Sequence, residues 1–276
     1  MAKTLNKKFP IFYYISPQIW AWRKKRIESI KRYIEKMIVI FKFEQDFYKK
    51  EGVDVLYFGH PLLEIINKPE NSSTRHPEEW NNEGSQKNII SFLPGSRKNE
   101  VKKHLPIMQK TKEILEKELP DYHFQVIRPK NLDENFYQSL SSNMNIIEHS
   151  YQAIQDSKFI ITSSGTATVE ISILEVPYII IYKMNPLTWQ ILKRIVNTNF
   201  VGMANILSGK KIVDELLQRE ACPKQIAALT LKYLKDKDKY RELKEELKKI
   251  KDKLLPDGAT DKLASYIGNY LRLIKL

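Results

Sequence analysis

A single cysteine, Cys222, stands among 276 residues. That leaves no intramolecular disulfide and no thiolate set for zinc, and it points to a reducing compartment. No apolar run approaches the ~18 residues of a membrane span. The basic start (Met1-Ala2-Lys3, then Lys7 and Lys8) resembles the opening of an export signal. The stretch from Ile11 to Trp22 carries Pro17 and Gln18, ends in Arg23-Lys24-Lys25-Arg26, and has no small-residue cleavage site, so export is rejected. The five histidines are scattered with no HExxH spacing, which excludes a recognisable metal site. No Gly-Lys-Ser/Thr closes a P-loop, no GxGxxG fingerprint is present, and no Gly-x-Ser-x-Gly elbow supports a serine hydrolase. The expectation is a cytoplasmic protein, soluble or peripheral on a membrane, with neither metal nor cofactor.

Positive charge is abundant. Lysine and arginine total 46 against 33 acids, a formal charge of +13, which favours anionic partners: phosphorylated ligands, an acidic membrane surface or nucleic acid. The run Trp20-Ala21-Trp22-Arg23-Lys24-Lys25-Arg26 interleaves aromatics with bases. It reads equally as a binding surface for membrane or nucleic acid and as two core tryptophans beside a solvated helix face.

The chain organises as α/β. In a front piece, residues 1–66, short apolar runs at Phe12-Tyr13-Tyr14-Ile15, Met37 to Phe41 and Val55 to Phe58 alternate with helical stretches, the signature of parallel strands with crossovers. Residues 67–87, rich in Asn, Ser, Glu and Pro, read as a linker. Residues 88–256 repeat the rhythm more completely. Strands are expected at Asn88 to Phe92, His123 to Ile127, Asn145 to Ile147, Phe159 to Ile161 and Tyr178 to Tyr182. The helix after the first of them carries Val101, Leu105, Met108 and Leu115 on one face. This is a doubly wound parallel sheet, whose ligands bind beyond the carboxyl ends of the strands. Tyr240, Leu243, Leu247, Ile250 and Leu254 mark a packed helix, and residues 257–276 read as a final one.

Two strand-to-helix loops carry candidate chemistry. In Leu93-Pro94-Gly95-Ser96-Arg97, Gly95 lets backbone approach a ligand, Ser96 offers a hydroxyl and Arg97 a planar fork suited to phosphate. The competing reading is a plain turn with a solvated arginine. In Ser163-Ser164-Gly165-Thr166-Ala167-Thr168-Val169-Glu170, small polar residues open a helix where N–H groups converge on an anion. Glu170, a turn further on, suits the two hydroxyls of a ribose; otherwise it is a solvated helix residue. His60, in Gly59-His60-Pro61, is a turn residue or a base.

Taken in order, these segments resemble one family, lipid-A-disaccharide synthase, a glycosyltransferase of GT-B fold. The matching stretches are Tyr14 to Arg23, Phe58 to Leu62, Leu93 to Val101, Ser164 to Glu170, Tyr182-Lys183-Met184-Asn185-Pro186-Leu187-Thr188, and Asn205 to Gly209 followed by Glu215 to Gln218. The resemblance implies transfer of a 2,3-diacylglucosamine from UDP to the 6-hydroxyl of 2,3-diacylglucosamine 1-phosphate. It places the donor nucleotide on residues 88–256, adds Lys183 and Asn205 to the donor site, and needs no metal. It also implies work at the inner face of the cytoplasmic membrane. The front piece matches only the end of the family's N-terminal half, so the general base is expected in a part absent here, encoded separately or lost. His60 is the only substitute the front piece offers. The alternatives are another UDP-sugar enzyme of GT-B fold, or a non-catalytic basic protein that binds membrane or nucleic acid.

Overall fold

The computed structural model describes residues 9–21, 24–68, 88–141, 143–185, 189 and 198–273. The expected linker at 67–87, with Trp80, lies almost wholly outside these residues, as do Trp22, Arg23, the Pro186-Leu187-Thr188 segment and Ile274. The chain divides into two compact units, and the elements below are numbered among the described residues.

The first unit is built from the residues up to Asn67 together with those from Asp252 onward. Three short apolar runs become parallel strands β1 (Phe12–Tyr14), β2 (Lys36–Val39) and β3 (Val55–Tyr57), in the order β1-β2-β3. Phe12 pairs with Lys36 and Met37 with Val55. The crossovers are α1 (Ile27–Tyr33) and α2 (Lys42–Lys50), and α3 (Pro61–Asn67) follows β3. Met37, Ile38 and Val39 are wholly buried, as befits a central strand covered on both faces. The last helix, α11 (Ala259–Leu273), belongs to this unit, so it is not a free-standing C-terminal element. Tyr270 sets its ring edge against Phe12 at 4.8 Å, and Glu64 of α3 accepts the Thr260 N–H at 2.7 Å. The His60 N–H donates to Leu254 O (3.0 Å) and the Tyr57 hydroxyl to Leu255 O (2.8 Å). Gly59 makes this crossing possible. Its φ is +111°, and a Cβ there would lie 1.7 Å from the carbonyl oxygen of Pro256.

The second unit holds a six-stranded parallel sheet, ordered β6-β5-β4-β7-β8-β9. Its strands are β4 (Ile89–Leu93), β5 (His123–Arg128), β6 (Asn145–Glu148), β7 (Phe159–Ser163), β8 (Tyr178–Tyr182) and β9 (Glu215–Leu217). Each of the first five starts within two residues of its expected position; β9 was not anticipated. The helices are α4 (Lys98–Glu118), α5 (Glu134–Gln138), α6 (Tyr151–Gln155), α7 (Ala167–Ile173), α8 (Met203–Ser208), α9 (Pro223–Lys235) and α10 (Lys237–Asp252). Val101, Leu105, Met108 and Leu115 of α4 are completely buried, each contributing about 1.5–3 kcal/mol of burial. Pro106 lies inside α4 rather than in its first turn. On α10, Leu243, Leu247 and Ile250 are buried, the packed face that their spacing implied.

Strand order fixes where a ligand can sit. β4 has β5 on one side and β7 on the other, so the chain winds outward in both directions from the β4/β7 pair. The loops leaving these two strands diverge to opposite faces and open a crevice at their carboxyl ends.

Candidate functional site

That crevice contains a cavity of about 320 Å³. Gly95 and Ser96 line it from the loop after β4, and Ser163, Ser164, Gly165, Thr166, Ala167 and Glu170 from the loop after β7 and the first turn of α7. Ile127, Pro129 and Lys130 enter from the end of β5, and His149 from the end of β6.

Local sequence explains each wall. Gly95 has φ +123°, and a Cβ added there would come within 2.8 Å of the Cβ of Glu100, itself a cavity-lining residue in the first turn of α4. Only glycine lets loop and helix close so tightly. Ser164 Oγ donates to Val201 O at 2.8 Å, which ties the second loop down. Thr168 Oγ1 donates to Gly165 O at 2.7 Å, shaping the entry to α7. Thr166, at the N-cap, makes no side-chain capping bond, so its hydroxyl is not committed to the helix.

Behind the cavity stands His104, fully buried on α4. Its Nε2 accepts the Lys183 N–H at 2.9 Å, so the proton resides on Nδ1, which donates to Pro94 O at 2.8 Å. Burial pushes its pKa below the usual histidine value and keeps the ring neutral. One imidazole therefore bolts the loop after β4 to the end of β8.

The expected site residues separate into two groups. Gly95, Ser96, Ser164, Gly165, Thr166 and Glu170 come together around one cavity. Arg97, Lys183 and Asn205 do not line it. The Arg97 side chain is 80% exposed and pairs with Glu100 at 3.1 Å. Lys183 is exposed, and its backbone serves His104. Asn205 is completely buried and fully engaged. Its Nδ2 donates to Val213 O and Glu215 Oε1 (both 2.8 Å), and its Oδ1 accepts from the N–H groups of Ile212 and Val213.

In the first unit, His60 is 3% exposed, and its Nδ1 accepts the Leu62 N–H at 3.2 Å. Burial pushes its pKa down to about 4. Trp20 donates its indole N–H to Glu44 Oε1 (3.2 Å) and meets Phe43 edge-on at 4.9 Å, so this tryptophan packs as part of the unit.

Sequence reasoning missed His149, Glu100 and Lys130. His149 Nε2 lies 2.9 Å from Glu170 Oε2. Its signal was positional: it directly follows β6, at the strand end where doubly wound sheets gather ligand groups.

Two parallel α/β units, one with a cavity at its topological switch point, define an α/β protein of the GT-B type. Solved structures share the fold: a UDP-GlcNAc 2-epimerase from Neisseria meningitidis bound to UDP-GlcNAc has a TM-score of 0.61 at 12% identity, over 97% of this chain and 72% of that one. An Anabaena protein solved with UDP and glucose has a TM-score of 0.52 at 11% identity, over 94% and 71%. Sequence goes further. The family described as lipid-A-disaccharide synthetase matches residues 1–263. Curated lipid-A-disaccharide synthases from Persephonella marina and Syntrophus aciditrophicus are 37% and 34% identical over 92% and 96% of this chain. The chain belongs to the lipid-A-disaccharide synthase family of glycosyltransferases and spans 70% of the length of these two relatives.

Proposed function

We propose that the cavity of the second unit binds the UDP moiety of an acylated UDP-glucosamine, in a reaction joining two acylated sugars. In that reaction the 6-hydroxyl oxygen of 2,3-diacylglucosamine 1-phosphate bonds to the anomeric carbon of the donor 2,3-diacylglucosamine. UDP leaves, and a β-1′,6-linked disaccharide results. The observation that carries the reading is convergence: loops nearly 70 residues apart in sequence deliver Gly95, Ser96, Ser164, Gly165, Thr166 and Glu170 to one crevice.

In this reading Ser96 and the polar loop Ser164-Gly165-Thr166 hold the diphosphate, whose charge grows as the sugar departs; fixed donors aimed there stabilise the transition state. Arg97, exposed and paired with Glu100, swings onto the diphosphate as a planar fork. Glu170 takes the ribose hydroxyls. Ile127 and Pro129 give the base an apolar floor. Lys183 and Asn205 act indirectly, Lys183 through the backbone N–H that His104 holds and Asn205 through the Ile212 and Val213 backbone that it anchors.

Work at the inner face of the cytoplasmic membrane is supported by the acyl chains of both substrates and by the +13 charge. Among the described residues no helix is long and apolar enough to cross a membrane. In the first unit, exposed Phe9 and Ile15 and the exposed bases Lys25, Arg26, Lys31 and Arg32 suit contact with an anionic bilayer surface.

Calorimetric titration of the purified chain with UDP tests the reading. Saturable 1:1 binding, weakened about tenfold or more in Glu170→Ala, is expected. A folded chain that takes up no UDP would refute it.

A further inference from the structure

His149 lines the cavity, yet the reading above leaves it without a role. His149 is fixed from three directions. Its N–H donates to Arg128 O at 2.8 Å, continuing the β5–β6 ladder by one residue. Ser150 caps α6 by accepting the Ala153 N–H at 3.1 Å, which sets the path of the chain beyond it. Its ring meets Tyr151 edge-on, centroids 5.5 Å apart. The imidazole, so held, places Nε2 at 2.9 Å from Glu170 Oε2. An ionised carboxylate only accepts hydrogen bonds, so Nε2 carries the proton and donates. The Glu170 side chain is 14% exposed and that of His149 27%, so the bond is partly shielded from water. A charge-assisted bond of this kind is stronger than a neutral one.

Glu170 needs such a restraint. Its cavity also contains Glu100, and a bound diphosphate would bring further negative charge. An untethered carboxylate in that field turns away from the ligand, and helix α7 gives it rotamers in which to do so. Among the described residues nothing bonds Glu170 Oε1, which leaves that oxygen for a ligand.

We propose that His149 is the positioning residue that makes Glu170 a ribose clamp: by claiming Oε2 it aims Oε1 at the sugar hydroxyls, and so sets the preference of the donor site for ribonucleotide over 2′-deoxyribonucleotide. This rests on the assignment of Glu170 to the ribose, and the experiment separates the two.

The assay is calorimetric affinity for UDP and for 2′-deoxy-UDP in the full chain, in His149→Phe and in His149→Gln. Phenylalanine keeps a planar ring but has no donor; glutamine keeps an N–H at similar reach. The wild-type chain is expected to favour UDP by about tenfold or more, the worth of one hydrogen bond to a charged group. His149→Phe should lose that preference through weaker UDP binding, with 2′-deoxy-UDP nearly unchanged, and His149→Gln should restore most of it. If His149→Phe keeps the preference, or weakens both nucleotides equally, the inference is overturned while Glu170 keeps its role. If the wild-type chain binds both nucleotides alike, the assignment of Glu170 fails, and that of His149 with it.

Discussion

Glu44 and His60 give the first unit two opposed titrations that should hide one another. Glu44, on α2, is 2% exposed, and burial pushes its pKa up to about 7 despite the hydrogen bond from Trp20. His60 is buried too, its ring 5.1 Å from that of Phe41. The native state keeps a proton on Glu44 that the unfolded chain releases at about 4.5, so stability from this group is full below that pH. It is lost as pH rises through about 7. The gap is worth about 3 kcal/mol. The native state refuses a proton on His60 until about pH 4, whereas the unfolded chain accepts one at about 6.5. Stability from His60 therefore rises across that interval by a similar amount, about 3 kcal/mol. Between pH 4.5 and 6.5 these two contributions should nearly cancel. Glu44→Gln removes one slope, so its stability relative to wild type should climb by about 3 kcal/mol between pH 4.5 and 8. His60→Asn keeps an acceptor for Leu62 and removes the other, so its advantage should grow as pH falls below 6.5. Urea titrations at half-unit steps of pH, read as differences from wild type, cancel every titration the proteins share. Parallel profiles for Glu44→Gln and wild type would refute the reasoning.

Three further outcomes are expected. Arg97→Ala should weaken UDP binding by about one to two decades, the worth of a charge-assisted contact to phosphate, and calorimetry that finds unchanged affinity would remove Arg97 from the site. Gly59→Ala should lower the melting temperature markedly, since its Cβ would meet the Pro256 carbonyl at 1.7 Å in a backbone region that side chains avoid. Unchanged melting by calorimetry would mean that the crossing chain gives way. Binding to anionic vesicles should collapse between low and high salt as the +13 charge is screened; salt-insensitive binding in a flotation assay would indicate apolar anchoring instead.

The strands were legible because a parallel sheet buried on both faces demands unbroken apolar runs. In β8 no apolar–polar alternation arises: Tyr178, Ile179, Ile180 and Ile181 are all fully buried. The two loops that line the cavity were legible as candidates because glycine and small polar residues directly follow a buried strand in each. Three features were not. β9 is three residues long, too short for any periodicity to register. Asn205 matched a family motif, but nothing in sequence separates an amide that meets a ligand from one that staples Ile212 and Val213 to its own helix. His149 is a lone histidine after a four-residue strand, and its value depends on Glu170, twenty-one residues away and brought close only by the winding of the sheet.

The return of α11 to the first unit has a consequence for synthesis. Tyr57 finds its acceptor in Leu254, 197 residues later, and Phe12 waits for Tyr270. At about 5–20 residues per second on the ribosome, these strands emerge roughly 10–50 s before the segment that covers them. The second unit, by contrast, contains no residue beyond Lys251. Completion of the first unit therefore waits for the residues from Asp252 onward. Over that interval Phe12, Tyr13 and their neighbours are the apolar surface that a nascent-chain chaperone would meet.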